Sequence, residues 1–198
     1  GLSLAKGLIQ SGKFHTVKVF EQKPSIEPLL GAGFALTNGL VVLEKLGYKQ
    51  QLQHIIHPIH VHENWRSDGS LIAEMKAFEK AKQQSKLLKG REYLWCAVLR
   101  GDLLNVIADG LPDGVIQLNK SVESYRVTPT NTVITRFTDG TEDESEVLIG
   151  ADGIGSKIRS LMVNDAKPVY SGYGMWYGVA KLDPESDAYK SCEHKMKR

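Results

Sequence analysis

Apolar and polar residues recur with two periods along this chain, and the switches between them mark out its elements. At the amino end, Leu2, Leu4, Ala5, Leu8 and Ile9 follow helical spacing that stops near Gly12, which predicts a first helix. A strand over residues 17–20 follows and finishes at Glu21. Leu40, Val41, Leu43 and Leu46 make one face of a second helix, which Thr37 or Asn38 would cap and Gly47 would stop. Residues 59–65 and 70–75 read as the two strands of a hairpin around Ser67-Asp68-Gly69. Residues 76–89 are rich in Lys and Gln with little apolar periodicity, as in an exposed helix or loop. A helix over 102–109 and the turn Leu111-Pro112-Asp113-Gly114 then lead into strands near 115–118, 121–127 and 132–138, with Asp139-Gly140 as a second hairpin turn. This β-meander delivers the chain to Val147-Leu148-Ile149, an apolar run with the look of a strand.

The next stretch, Gly150-Ala151-Asp152-Gly153-Ile154-Gly155-Ser156-Lys157-Ile158-Arg159, sets an acid among small residues where a strand would hand over to a helix. Glycine there permits a tight turn and close approach of a ligand to the backbone. Ser156 is suited to cap a helix beginning at Lys157, and a carboxylate at Asp152 can accept hydrogen bonds from ligand hydroxyls. The amino end has matching features. Gly1 opens the first helix, and Glu21 lies about 20 residues on, the spacing between the third glycine of a dinucleotide fingerprint and the acid that binds ribose hydroxyls. The strand and the two glycines that would precede Gly1 in that fingerprint are not in the sequence.

Four segments together resemble the FAD-dependent monooxygenases of the aromatic-hydroxylase and epoxidase type. They are the helix and acid from Gly1 to Glu21; Gly31-Ala32-Gly33-Phe34-Ala35-Leu36-Thr37-Asn38 with Leu43, Leu46 and Gly47; Leu99-Arg100-Gly101-Asp102-Leu103-Leu104; and Gly150 to Arg159. The resemblance implies an α/β fold: a Rossmann-like FAD-binding domain over 1–165 with an inserted β-meander, then the beginning of a substrate-side sheet over 166–198, with its first strand at 170–179. It implies that Gly1 gives the pyrophosphate access to a helix amino end, that Glu21 accepts the adenosine ribose hydroxyls and that Val122 faces the adenine. Asp152, beside Gly153, would bind the ribityl chain, Arg100 would lie along the cofactor, and the 31–34 loop with Gly33 would approach the flavin ring. Ser156 and Arg159 are expected to cap and support. NAD(P)H would reduce FAD, and one atom of dioxygen would pass to an aromatic, alkene or related apolar substrate. The chemistry would be the cofactor's, so no catalytic side chain is nominated. The family's first strand and its later Gly-Asp fingerprint are missing from these residues, and the chain is expected to be part of a longer polypeptide, inactive alone.

Composition narrows the remaining classes. The chain has 198 residues, 41% of them apolar and 24% charged, enough for one substantial core and the start of a second. A net charge of +2 with Lys and Glu intermixed gives no single-sign field for nucleic acid. Cys96 and Cys192 form no C-x-x-C pair, so neither a disulfide framework nor a zinc ribbon is expected, and a reducing compartment, cytoplasmic or organellar, is the default. His54, His57, His60 and His62 cluster in sequence without an acid or cysteine to complete a ligand set, and no metal is assigned. No run approaches the ~20 apolar residues of a membrane span. Two alternatives stay open: a noncatalytic protein that keeps a nucleotide-binding fold, and an oxidase or dehydrogenase built on the same FAD fold.

Overall fold

In the computed structural model, residues 1–26, 33–75, 95–163, 168–174 and 182–190 are described. Helix α1 (Leu2–Ser11) ends as its sequence predicts, because Gly12 takes a left-handed φ of 65° and its N–H returns to the Ile9 carbonyl at 3.2 Å. Strand β1 (Val19–Phe20) is shorter than expected and pairs in parallel with β7 (Ile116–Gln117). The pairing extends past the strand ends: the Glu21 N–H donates to Gln117 O, and the Lys120 N–H donates to Glu21 O, both at 2.9 Å.

A hydrophobic core lies under an antiparallel sheet of β2 (Gly33–Leu36), β6 (Trp95–Leu99) and β3 (Ile56–Ile59), with β6 central. Cys96 and Val98 on β6 point inward with Ala97 between them, and they meet Leu36, Ile56 and the helical residues Leu40, Leu43, Tyr48, Leu52, Leu103 and Ile107. Pro58 is tolerated in β3 because β3 is an edge strand whose outer side needs no ladder donor. Leu40 and Leu43 belong to α2 (Asn38–Leu43), which runs through a wide turn at Glu44–Tyr48 into the short α3 (Lys49–Leu52). Gly47, at φ 94°, breaks the helix as its sequence suggests, yet the chain resumes helical turns behind it. Helix α4 (Arg100–Asp109) follows β6 directly and buries Leu103 and Ile107 in the same core.

A second sheet orders β10 (Glu142–Ser145), β9 (Val133–Phe137) and β8 (Val122–Val127) as an antiparallel meander. Phe137, almost fully buried, packs against Phe20 of β1 with ring centres 4.6 Å apart and planes tilted by 53°, and Lys18 pairs with Asp143, so the meander is fastened to the parallel pair. The hairpin β4 (His62–Trp65) and β5 (Leu71–Met75) forms around its Asp-Gly turn and is exposed along both strands. Helix α5 (Lys157–Met162) packs against β8.

Four expectations change. Gly33 begins a strand instead of sitting in a loop, since without a side chain it lies flat against β6 opposite Leu99. Residues 147–149 form no strand: Val147 and Ile149 are about half exposed, and none of the three joins a ladder among the described residues. Propensity alone does not make a strand without a partner. Ile59 belongs to β3, not to the hairpin. Residues 170–174 are irregular where a strand was expected, while Gly31, Ala32, 76–89, 175–179 and Cys192 lie outside the described residues.

Candidate functional site

The seven residues singled out by the sequence fall into three local junctions. At the first, the amino end of α1 meets the 150–153 turn. Gly1 is the N-cap of α1, and a β-carbon built on it would stand 3.5 Å from the Cβ of Ala151, so segments far apart in sequence meet there. No acidic side chain occupies the first turn of α1, and no side chain caps it. The N–H groups of that turn therefore face outward with the positive end of the helix dipole, an arrangement suited to an anion. Gly153 takes φ 79°, which turns the chain away from Asp152. Gly150 sits so close to α5 that a β-carbon would come within 3.0 Å of Ile158 Cβ.

Within this junction Asp152 is committed to its own helix. Its Oδ1 accepts from Ser156 Oγ at 2.5 Å, and its Oδ2 accepts from the Ile158 N–H at 3.1 Å. Ser156 in turn accepts from the Arg159 N–H at 3.0 Å, the N-cap bond its sequence position predicts. Desolvation pushes the Asp152 carboxyl upward, but the hydrogen bonds from Ser156 and from the backbone outweigh it and hold the group below the usual carboxylate range. The Arg159 side chain donates to Ile154 O. The sequence pointed to Ser156 and Arg159 as supports, and the four-residue spacing from Asp152 to Ser156 was the available sign of the clamp.

At the second junction, the parallel pairing carries Glu21 to the chain leading into β8. Lys120 donates to Glu21 O, so Glu21 and Val122 lie on adjoining strand ends. Glu21 uses Oε1 to accept the Lys23 N–H at 3.0 Å and leaves Oε2 without a partner among the described residues. Val122 opens β8 at an irregularity of the ladder with β9, between Val122 and Ser124. The third junction joins Gly33 and Arg100. Gly33 pairs with Leu99, and Arg100, the first residue of α4, follows at once with its side chain exposed. A crevice of about 370 Å³ lies elsewhere, at the opposite ends of β1 and β7, among Phe14, Val17, Pro112 and Val115.

Among the described residues no three His, Cys, Asp or Glu side chains gather to hold a metal ion, and His62 hydrogen-bonds Asn64 at 3.1 Å. No described helix is long and apolar enough to cross a membrane.

No family model matches the chain. Individual proteins do. It is 31% identical over 175 residues to the 6-hydroxynicotinate 3-monooxygenase of Pseudomonas fluorescens, covering 87% of this chain and 43% of that protein. It is 28% identical over 178 residues to an FAD-dependent monooxygenase of Stachybotrys chartarum, covering 85% of this chain and 37% of that protein. Among solved structures, the 2,6-dihydroxypyridine-3-hydroxylase of Arthrobacter nicotinovorans superposes with a TM-score of 0.69 at 23% identity, over 87% of this chain and 39% of that one. The chain thus spans less than half the length of the proteins it matches, and it shares the mixed α/β fold of the solved one. By sequence it is similar to proteins named as monooxygenases, one of them FAD-dependent.

Proposed function

We propose that this chain is the FAD-holding part of a monooxygenase that uses NAD(P)H and dioxygen to place one oxygen atom on an aromatic, alkene or related apolar substrate. Residues 1–165 are its Rossmann-like FAD-binding domain, and 166–198 begin its substrate-side sheet. The observation that carries the reading is the meeting of Gly1 with Ala151, which sets a helix amino end with no capping side chain and no acid in its first turn against a glycine-rich turn. A diphosphate fits that junction, since it needs N–H donors, a favourable dipole and no side chain in the way.

The other two junctions fit the remaining parts of a dinucleotide. Glu21 stands at the carboxyl end of a parallel strand with one carboxylate oxygen turned into its own loop and the other left to accept ribose hydroxyls. A carboxylate there disfavours a 2′-phosphate, which selects FAD over a phosphorylated dinucleotide. Val122 adjoins Glu21 and would border the adenine. Arg100 offers an exposed cation at the start of α4, and Gly33 keeps the neighbouring backbone free of side chain. When bound, the flavin supplies the redox chemistry with NAD(P)H and dioxygen. The chain's own part is to bind, orient and shield it.

The test is made on the full-length protein. It should purify with FAD and consume NAD(P)H in step with hydroxylation of a pyridine or benzoate ring, followed by mass spectrometry. Flavin turnover that yields only hydrogen peroxide would make it an oxidase. Failure to bind FAD would leave a noncatalytic protein with a nucleotide-binding fold.

A further inference from the structure

We infer that Lys6 is a positioning residue: its ammonium ties the carboxyl end of α4 to α1, and so fixes where Arg100, at the other end of α4, stands relative to the amino end of α1. This rests on the FAD-binding reading above, in which both helix starts face the cofactor, and adds to it a residue that acts away from the ligand.

Helix α4 has no basic residue in its last turn and finishes on Asp109, so its carboxyl end, where unpaired carbonyls gather negative charge, lacks a cation of its own. Lys6 supplies one from another helix. Its Nζ donates to Gly110 O at 2.6 Å, across 104 positions of sequence, and lies 5.6 Å from the centre of the Tyr48 ring. The Tyr48 hydroxyl takes the Ile107 carbonyl of the same turn at 3.0 Å. Lys6 is half-buried, a place where an ammonium is costly unless it is paired. One turn further along the same face of α1, Gln10 donates Nε2 to Leu46 O at 2.9 Å, the carbonyl just before the break at Gly47. Two side chains of one helix face thus fasten α1 to the ends of two other segments.

The tie takes effect at the far ends of the helices. α1 starts at Gly1 with its N–H groups outward, and α4 starts at Arg100 with an exposed cation. A ten-residue helix, about 15 Å long, carries a shift of one end to the other as a nearly rigid rod. Because α4 follows β6 without a loop, loosening its carboxyl end tilts it about that joint and swings Arg100. Apolar packing alone does not prevent this: Leu2 lies against the core that holds Leu103 and Ile107, and such contacts have no preferred direction. The hydrogen bond from Lys6 does.

A double-mutant cycle on the full-length protein decides this. Lys6→Met, Arg100→Ala and the double variant are compared for FAD affinity by fluorescence quenching, with Lys6→Arg alongside. If Lys6 acts through Arg100, each single change weakens FAD binding about tenfold, the worth of one charge-assisted hydrogen bond. The double variant is then no weaker than the worse single. Lys6→Arg, which keeps the charge, a donor and the stacking on Tyr48, restores binding to within about twofold. Losses that multiply in the double variant, no loss in Lys6→Met, or no rescue by Arg each overturn the inference. So does an Arg100→Ala protein that binds FAD as the wild type does. Hydrogen exchange in the FAD-free protein, followed by mass spectrometry, gives a reading that needs no cofactor. Lys6→Met should speed exchange over 100–104 and leave 122–127 and 133–137 as in the wild type. A rise in all three segments would be general loss of stability, and a rise in none would be no tie at all; both overturn the inference. Should the wild type bind no FAD, the functional reading falls by itself, and the exchange pattern still decides whether Lys6 holds the start of α4.

Discussion

The ring of Tyr48 occupies the space that a β-carbon on Gly110 would need. Such a carbon would fall 2.3 Å from Tyr48 Cε1 and 2.8 Å from its hydroxyl, which itself donates to Ile107 O at 3.0 Å. Lys6 closes the same corner from α1, with Nζ 2.6 Å from Gly110 O and 5.6 Å from the centre of the ring. One aromatic ring therefore joins the break at Gly47, the end of α4 and the first helix.

Gly110→Ala should destabilise the protein by about 1–3 kcal/mol, the usual cost of overpacking, because a buried ring held by its own hydrogen bond has nowhere to move. The backbone at Gly110 has φ −84°, which any residue adopts, so the loss is steric and not conformational. Chemical denaturation at neutral pH measures it. A loss below about 0.5 kcal/mol, within the range of ordinary surface substitutions, would mean that the ring swings aside.

Tyr48 also makes stability depend on alkaline pH. Burial raises its hydroxyl above the ordinary value of 10.0. A raised pKa contributes stability that is fully present below the unfolded value and is lost as pH rises through the folded one. Melting temperature should therefore fall above about pH 10, and Tyr48→Phe should flatten that fall while costing about 1 kcal/mol at neutral pH from the missing hydrogen bond. An unchanged alkaline slope in Tyr48→Phe would assign the effect elsewhere.

Asp152 gives the opposite sign at the acid end. Its carboxyl is held below 3.8, so its contribution is present above the unfolded value and is lost as pH falls through the folded one. Asp152→Asn should remove part of the acid sensitivity of α5, read as amide exchange of Ile158 and Arg159 between pH 5 and 3. Equal acid sensitivity with and without the carboxylate would disprove it.

Gly1 tests the proposed diphosphate junction. A single methyl at this position meets Ala151 at ordinary contact distance, 3.5 Å, whereas a larger side chain projects into the turn. In the full-length protein, the substitution to Ala should keep FAD and the substitution to Val should lose it, with Asp139→Ala unchanged as a control. Asp139 is exposed and is used by Lys120 at 2.6 Å and by Thr141. Retention of FAD by the Val variant would move the diphosphate away from this helix.

Elements written in local chemistry were the ones legible in the sequence. The end of α1 at Gly12, the Ser156 cap and the turns at Asp68-Gly69 and Asp139-Gly140 each depend on residues within a few positions of one another. The central sheet was not legible: β6 owes its place to β2 and β3, whose paired residues lie 36 to 66 positions earlier, and nothing within Trp95–Leu99 names those partners. The same limit produced the mistaken strand at 147–149. At the site, spacing brought Gly1, Glu21 and Asp152 to attention, but whether Asp152 turns outward or inward depends on Ser156 and Ile158, and residue types alone leave that direction open.

Residues 147–149 have one further consequence, for the handling of the chain by itself. Three apolar residues whose main-chain groups join no ladder among the described residues offer an edge that a neighbouring molecule can pair with, and each addition renews that edge. Isolated chain should therefore leave solution at a rate that climbs with concentration. A single Lys at Leu148 would poison every later addition, so the stable form to store is either the dilute protein or that variant.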